Sequence, residues 1–233
     1  MTFLKKRKFW DEKRKSNPRY TIDELYHEKR IGNPLYEILA KSILEGTLTF
    51  HPKFRRKKYT SIIDIGCSVG EVLKHLERGS PKLQRSSGID HSEIAKSNWQ
   101  AQGQFYQHDL NTPPLKFTED YDLIVCMEVA EHLKDHKHLI DLFDRIRNKD
   151  SVLVFCAASP GQAGQDHINC HWHGFWIKLL EDHGWRYQHT MTVAFHCEFE
   201  DARKKLDSES YRKRRPSCYR NTIIFQSNTG LEH

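Results

Sequence analysis

A turn of small residues, Asp64 to Glu71 (DIGCSVGE), carries the clearest chemical signal in the sequence. Its two glycines allow the backbone to pass close under a ligand, and the N-terminus of the helix that follows attracts a carboxylate or a phosphate. Asp90 ends GID at 88–90, where a carboxylate can hold the two hydroxyls of a ribose, and Asp109 follows in HDL at 108–110. Because ligands of open α/β sheets bind at the carboxyl ends of the strands, the three turns predict one binding crevice.

Two other families of enzymes use similar glycine turns. Gly66 to Gly70 (GCSVG) fits the G-x-S-x-G nucleophile elbow of α/β-hydrolases, with Ser68 as the nucleophile. That fold places several strands and an oxyanion loop before the elbow, whereas this turn follows the first strand of the repeating pattern. A nicotinamide dehydrogenase would show G-x-G-x-x-G, and here the spacing is G-x-x-x-G. The order of the three turns favours neither of these readings.

A second group of polar residues follows the fourth and fifth predicted strands: Glu128, Glu131, His132 and His167. Two carboxylates with an adjacent imidazole, facing another histidine, could hold a divalent cation (Mg²⁺ or Mn²⁺) that lowers the pKa of an acceptor hydroxyl. Without a metal, the same glutamates would line the cofactor and cap a helix. A zinc site is a further alternative on four nearby residues, His167, Cys170, His171 and His173. Structural zinc sites usually draw their ligands from two separated pairs, and no second pair is present.

Strand and helix patterns alternate along the chain, which predicts a mostly parallel sheet covered on both faces. Asn33-Pro34 starts an amphipathic helix that we expect to stop at Gly46, and helices begin again near Gly70 and Ser92. Two later helices carry apolar residues from Leu139 to Ile146 and from Trp172 to Leu180, the second being the last helix and closed by Gly184. The predicted strands cover 61–65, a segment ending at 89–90, 105–107, 121–127, 152–156 and 221–225.

Over residues 35–226 the chain resembles the class I S-adenosylmethionine-dependent methyltransferases, through DIGCSVGEV at 64–72, GID, HDL and YDLIVCMEVAEHL at 121–133. The resemblance implies a three-layer α/β/α Rossmann-like domain, with a mostly parallel seven-stranded sheet whose last strand is antiparallel. It also implies the cofactor contacts: Asp64, Gly66, Cys67 and Gly70 around the methionine portion, Asp90 at the ribose, Asp109 and Leu110 at the adenine, and Met127 and Glu128 under the sulfonium. The stretch between Asp109 and Tyr121 is too short for the helix usual there.

Two further resemblances bear on the identity of the methyl acceptor. Glu128, Glu131, His132 and His167 are similar to the metal site of small-RNA 3′-terminal 2′-O-methyltransferases and of ubiquinone-pathway O-methyltransferases. The segment from His167 to Trp185, with Tyr219 and Asn221 before the last strand, is similar to methyltransferases of sugars and other secondary-metabolite precursors. That similarity places His167 and Asn169 at the acceptor, with His167 as general base, and we take His132 as the second catalytic candidate. We expect O-methylation of a small molecule or glycan; a metal-dependent RNA 2′-O-methyltransferase and a non-catalytic cofactor-binding scaffold are the alternatives.

The length of 233 residues suits one domain with appendages, which we place at 32–228, after a basic arm or lid at 1–31. Residues 229–233 match the remnant of an affinity tag. The net charge of +6 is concentrated in two basic runs, within 5–15 and 212–215, that could attract RNA, although no aromatic-interleaved nucleic-acid motif accompanies them. Scattered cysteines, no long apolar stretch and no signal peptide predict a cytoplasmic protein without a membrane partner.

Overall fold

A computed structural model describes residues 27, 29–53, 58–164, 166–206 and 217–228. Most of the predicted arm at 1–31, the basic run at 212–215 and the predicted tag remnant at 229–233 lie outside these residues. The described part contains a seven-stranded sheet in the order β3-β2-β1-β4-β5-β7-β6. The strands, numbered along the chain, are β1 (Ser61–Ile65), β2 (Arg85–Asp90), β3 (Gln104–Gln107), β4 (Tyr121–Met127), β5 (Arg147–Cys156), β6 (Trp185–Tyr187) and β7 (Thr222–Ser227).

The helices lie between the strands and cover both faces of the sheet. They are α1 (Pro34–Leu48), α2 (Glu71–Gly79), α3 (Glu93–Ser97), α4 (Lys137–Ile146), α5 (His173–Asp182), α6 (His189–Lys204) and α7 (Ser217–Asn221), with a 3₁₀ turn at Ala130–His132. All pairings among β1 to β5 are parallel, whereas β7 is antiparallel to both β5 and β6. This confirms the predicted Rossmann-like fold with its last strand antiparallel.

The core is divided into two apolar layers because side chains alternate across each buried strand. Ile63 and Ile65 of β1 contribute to the layer that contains α4 and α5. Ile62, between them, contributes to the opposite layer with α1, α2 and α6. Every residue of β1 is buried, which explains why its isoleucines occur on both faces of the strand rather than in alternation with exposed polar residues.

The structure corrects three boundaries predicted from sequence. The helix at 173–182 is not the last, because β6 and the long helix α6 follow it. Only a narrow stripe of α6 is apolar, formed by Met191, Phe195 and Phe199, and the polar residues between them hid the helical period. Helix α1 also continues past Gly46 to Leu48; a Cβ on Gly46 would lie 2.8 Å from the Cα of Phe195, so this glycine allows α1 and α6 to pack closely rather than ending α1.

The third correction concerns the start of the last strand. Asn221 ends the short helix α7, and the strand begins at Thr222. Asn221 is nevertheless buried and bonded, its Nδ2 donating to Oε1 of Gln162 over 2.7 Å. It therefore ties the beginning of β7 to the loop that follows β5.

Candidate active site

The candidate site lies at the carboxyl edge of the sheet, where the strand order reverses. Strands β2 and β4 pair in parallel with opposite sides of β1, so the chain leaves β1 toward one side of the sheet and returns on the other. Such a reversal opens a crevice outside the carboxyl ends of the strands. Asp64, Asp90 and Met127 lie in the last two positions of β1, β2 and β4, so this edge brings together the predicted cofactor residues on these strands.

The glycine turn after β1 has the tight backbone that the sequence predicted. Gly66, Ser68 and Gly70 have positive φ angles of 74°, 50° and 79°. The N–H groups of Gly66 and Cys67 both donate to the carbonyl of Ile89, at 2.8 and 3.0 Å, which holds the turn against the end of β2. The left-handed conformation is favourable for glycine and costly for Ser68, a strain of the kind often found at ligand-binding turns.

Two contacts to this turn were missed by the sequence reasoning. A Cβ on Gly70 would lie 2.6 Å from the ring of Trp99, so this glycine makes room for an indole packed on the turn. His27, from the predicted arm, is buried with its Nδ1 2.6 Å from Oγ of Ser68. A lone tryptophan in a polar loop and a histidine in a charged arm gave no periodic signal. The glycines therefore serve the packing of the turn as well as access to a ligand.

Asp90 connects the glycine turn to the next helix. Its Oδ2 accepts a hydrogen bond from the backbone N–H of Ser68 (2.8 Å), and its Oδ1 accepts one from the N–H of Ser92 (2.9 Å). Ser92 in turn caps α3 by accepting from the N–H of Ala95 (3.2 Å). This carboxylate is thus fixed in orientation before any ligand arrives, as a ribose-binding group should be.

Asp64 is a buried carboxyl group in the central strand. Burial raises its pKa from 3.8 to about 7; the nearby Arg30 opposes this rise and Asp90 adds to it. A buried carboxylate that is expensive to ionise is suited to a cationic ligand group, which would repay the cost of ionisation. The α-ammonium of S-adenosylmethionine is such a group, so the cofactor implied by the resemblance fits this position.

The part of the crevice that is predicted to bind the adenine is partly exposed to solvent. Asp109 is exposed, and its Oδ1 accepts from both the backbone N–H (2.9 Å) and Nδ2 (3.1 Å) of Asn111, which lowers the pKa of Asp109. Leu110 is buried in the same apolar layer as Ile89. The stretch from Asp109 to Tyr121 contains no helix, as its length and its two prolines predicted.

Three of the four predicted metal ligands are brought together after β4 and β5. Glu131, His132 and His167 each offer one ligand atom, and these atoms lie within 4.8 Å of one another. In His132, Nδ1 lies 3.2 Å from the carbonyl of Asp166, and in His167 it lies 3.2 Å from the carbonyl of Gln162. Because a carbonyl can only accept, both rings donate from Nδ1 and keep the lone pair on Nε2. We refer to these three residues as the Glu131 cluster.

Glu131 is the buried member of the cluster. Its side chain is fully buried, and neither carboxylate oxygen has a hydrogen-bond partner of good geometry in the described part of the chain. Burial raises its pKa to about 7, the charge of Glu128 adds to this, and the backbone N–H groups of Glu131 and Ala158 oppose it. A buried carboxyl without good partners is a natural position for a proton, a cation or a polar substrate group.

Glu128 is placed differently from the other three predicted ligands. It has a positive φ of 59°, and its Oε1 lies 3.1 Å from Sγ of Cys156 at the end of β5. It is not part of the Glu131 cluster. Of the alternative zinc residues, Cys170, His171 and His173 also lie outside it. The geometry within the described residues thus supports a three-residue site rather than either four-residue set.

The loop after β5 is anchored on the Glu131 turn by its backbone. The N–H groups of Ile168 and Asn169 both donate to the carbonyl of Glu131, at 2.9 and 3.0 Å. Asn169, predicted to contact the acceptor, accepts from Nε2 of His171 through Oδ1 over 2.8 Å. The rings of His132 and His167 meet edge to face with centroids 5.0 Å apart. The two loops therefore form one unit that holds the cluster.

Comparison with known proteins gives a family and a fold. A family profile described as a methyltransferase domain matches residues 35–204. The plantazolicin methyltransferase BpumL, solved with a triazolic desmethyl analogue and S-adenosylhomocysteine, is 14% identical, with 91% of this chain and 92% of BpumL covered and a TM-score of 0.62. The [4+2]-cyclase SpnF is 12% identical, with coverages of 83% and 81% and a TM-score of 0.53. No curated protein sequence matches this chain. At these identities the solved structures are evidence for the fold alone.

No membrane-crossing helix is found among the described residues. None of the helices there combines the length and the apolar character that a transmembrane span requires. The cytoplasmic location and the domain limits at 32 and 228 stay predictions.

Proposed function

Since this chain belongs to the class I S-adenosylmethionine-dependent methyltransferases, we propose that its acceptor is a hydroxyl group of a small molecule. The observation that carries this proposal is the Glu131 cluster beside the cofactor crevice. A hydroxyl must lose its proton as it is methylated, and the cluster provides groups that can receive it. A scaffold that only bound the cofactor would gain nothing from a buried carboxyl whose ionisation is costly.

The residues proposed to hold the cofactor in the crevice are Asp64, Gly66, Cys67, Gly70, Asp90, Asp109, Leu110, Met127 and Glu128. When bound, it supplies a methyl group on a sulfonium that is open to in-line attack. The chain's own task is to align the acceptor and to exclude water, since correct alignment alone lowers the barrier substantially. The carboxylate of Asp90, held by the N–H of Ser68 within the glycine turn, and the buried carboxyl of Asp64, which precedes the turn, support this arrangement.

His132 and His167 are the proposed proton acceptors. Partial burial and the neighbouring His167 lower the pKa of His132, so that its imidazole is neutral at neutral pH. A neutral imidazole with its Nδ1–H bound to a carbonyl presents a basic Nε2. Glu131 would stabilise the imidazolium that forms, since its buried carboxyl lies in the same cluster.

A second candidate function is metal-assisted methyl transfer at the same cluster. One carboxylate and two imidazoles, each imidazole oriented by a backbone carbonyl, form a donor set that fits a divalent cation. Two nitrogen ligands favour Mn²⁺ over Mg²⁺, which prefers oxygen. In this case the residues would hold the cation so that it polarises the acceptor hydroxyl. The RNA alternative would require the basic runs, which lie outside the described residues.

Labelled methyl transfer to pools of hydroxylated small molecules, glycans and RNA tests the proposal. We expect transfer to the small-molecule pool, loss of most turnover in His167→Ala, and wild-type turnover in Val193→Ala, an exposed position on α6. Binding of S-adenosylhomocysteine should be the same in all three proteins. Cofactor binding without transfer to any pool would support the scaffold instead.

A chelator titration and a salt titration separate the two mechanisms. If the histidines act as bases, activity should survive the chelator and moderate salt. Loss with the chelator and recovery with Mn²⁺ would favour the metal. Steep loss with salt, on RNA acceptors, would favour the RNA methyltransferase, because binding through phosphates is strongly salt-dependent.

A further inference from the structure

The segment that begins at His167 of the Glu131 cluster combines exposed apolar side chains with a low density of charge. Residues 167–177 (HINCHWHGFWI) contain no Asp, Glu, Lys or Arg, although these types make up 29% of the chain. Three large apolar side chains of this segment are exposed: Ile168 (64%), Trp172 (66%) and Phe175 (36%). We call these three residues the apolar platform. Exposure of such side chains costs free energy in water, which points to a ligand that covers them.

The platform is held rigidly relative to the cluster. Ile168 directly follows His167, and its backbone N–H is bonded to the carbonyl of Glu131 at 2.9 Å. Trp172 precedes the first residue of α5, and its carbonyl accepts from the N–H of Phe175 at 3.0 Å. The same loop therefore carries both the groups proposed to accept the proton and the exposed apolar side chains. A ligand with its hydroxyl at the cluster has its remaining atoms near this loop.

The platform favours flat rings over other apolar shapes. The imidazole of His171 already stacks on the ring of Phe175, with centroids 3.7 Å apart and planes at 18°. The indole of Trp172 has no such partner among the ring contacts of the described residues, so a large aromatic face is open to solvent. Aromatic faces bind other planar π-systems, and the absence of charged residues in the segment gives no attraction for phosphate or carboxylate.

We propose that the apolar platform recognises the acceptor and that the acceptor presents an uncharged aromatic ring to it. This inference rests on the proposed function, because it identifies the class of hydroxyl compound that the same site methylates. The ring stacks on Trp172, Ile168 packs against its edge, and the hydroxyl extends toward the Glu131 cluster. The specificity of the enzyme is then for a neutral phenol-like compound, in preference to a sugar or an RNA terminus.

Equilibrium dialysis in the presence of S-adenosylhomocysteine tests the platform without requiring turnover. The probes are 2-naphthol, its saturated counterpart decahydro-2-naphthol, and the dinucleotide UpU. We expect 2-naphthol to bind most tightly, and we expect Trp172→Ala to weaken it roughly ten-fold, the scale of one lost aromatic stack. Trp172→Phe should restore most of the affinity, and Val193→Ala, an exposed apolar residue on α6, should bind as wild type.

Several outcomes would overturn the platform. They are equal affinity for 2-naphthol in Trp172→Ala and wild type, preference for the saturated ring, preference for UpU, and no binding of any probe. Failure of the proposed function is distinguishable, because a protein that transfers no methyl group can still bind 2-naphthol through Trp172. Conversely, if Trp172→Ala transferred methyl groups to a hydroxyl acceptor as fast as wild type, the proposed function would stand and only the role of the platform would be refuted.

Discussion

Replacing Asp64 with Asn should make the cofactor-free protein more stable at high pH while it weakens cofactor binding. The pKa of Asp64 is raised from 3.8 to about 7 in the folded protein, so the folded state holds this proton more tightly than the unfolded chain. The contribution of Asp64 to stability is therefore largest below pH 4, falls as pH rises toward 7, and levels off above it. The full shift corresponds to about 4 kcal/mol, of which about 2 to 3 kcal/mol is lost between pH 5 and pH 8.

Urea unfolding at pH 5, 6.5 and 8 measures this effect. The difference in unfolding free energy between Asp64→Asn and wild type should grow by about 2 to 3 kcal/mol from pH 5 to pH 8, because the asparagine has no proton to lose. Any packing or hydrogen-bonding cost of the amide is the same at each pH and cancels in this comparison. Asp201→Asn is the matched control, since the Asp201 side chain is 70% exposed on α6 and should leave the pH dependence as in wild type.

Cofactor binding completes the Asp64 experiment. Saturating S-adenosylhomocysteine should stabilise wild type more strongly at pH 8 than at pH 5, since its ammonium pairs best with the ionised carboxylate. Asp64→Asn should lose most of this gain. A stability difference that stays constant within about 0.5 kcal/mol from pH 5 to pH 8 would show that Asp64 ionises in the folded protein at no cost, and the reasoning from its burial would be refuted.

Three further predictions follow from other contacts. Asp90→Ala should weaken binding of S-adenosylhomocysteine by roughly 1 to 3 kcal/mol in calorimetry, because the ribose loses a fixed acceptor; unchanged affinity would remove the ribose assignment. Gly46→Ala should lower the unfolding free energy in urea by about 1 to 3 kcal/mol, since its Cβ would lie 2.8 Å from the Cα of Phe195; no loss would mean that α1 and α6 separate freely. In metal-free protein, the unfolding free energy of Glu131→Gln relative to wild type should rise by about 2 to 3 kcal/mol between pH 5 and pH 8, because the Glu131 pKa is raised to about 7; urea unfolding with a chelator present checks this, and a flat difference would contradict it.

The sheet could be predicted from sequence because its signals are local. The central strands β1 and β4 are short runs rich in apolar residues, and the turns after β1 and β3 contain Gly66 and Asp109. The motif spacing placed Asp64 and Asp90 at one edge, and the register of β1 and β2 confirms that their strands run side by side. Neighbouring parallel strands end at the same edge of the sheet, so the residues that follow successive strands in the sequence come together there. The crevice at this edge could therefore be predicted from sequence.

Features that depend on distant contacts were not predictable in the same way. Gly46 was predicted to end α1 because glycine is common at the C-terminal ends of helices. In the fold, Gly46 packs against Phe195, which is distant in the sequence. Trp99 and His27 contact the glycine turn through tertiary packing, which no periodic pattern in the sequence indicates. Glu128 belongs to the same E-x-x-E-H motif as Glu131, yet the two glutamates take different environments because Glu128 has a left-handed backbone after β4. The motif identified the candidate residues, but only the backbone conformation distinguishes the environment of Glu128 from that of Glu131.

The two buried carboxyls also divide the proposed reaction between the two halves of the sheet. Asp64, in β1, is proposed to face the cofactor, and Glu131, after β4, is proposed to face the acceptor; burial raises the pKa of each to about 7. Stability alone does not call for either group, because ionising a buried acid whose pKa is raised destabilises the fold. We therefore attribute the two acids to ligands that each would meet during the proposed reaction, a cationic group of the cofactor for Asp64 and the proton or cation of the acceptor site for Glu131.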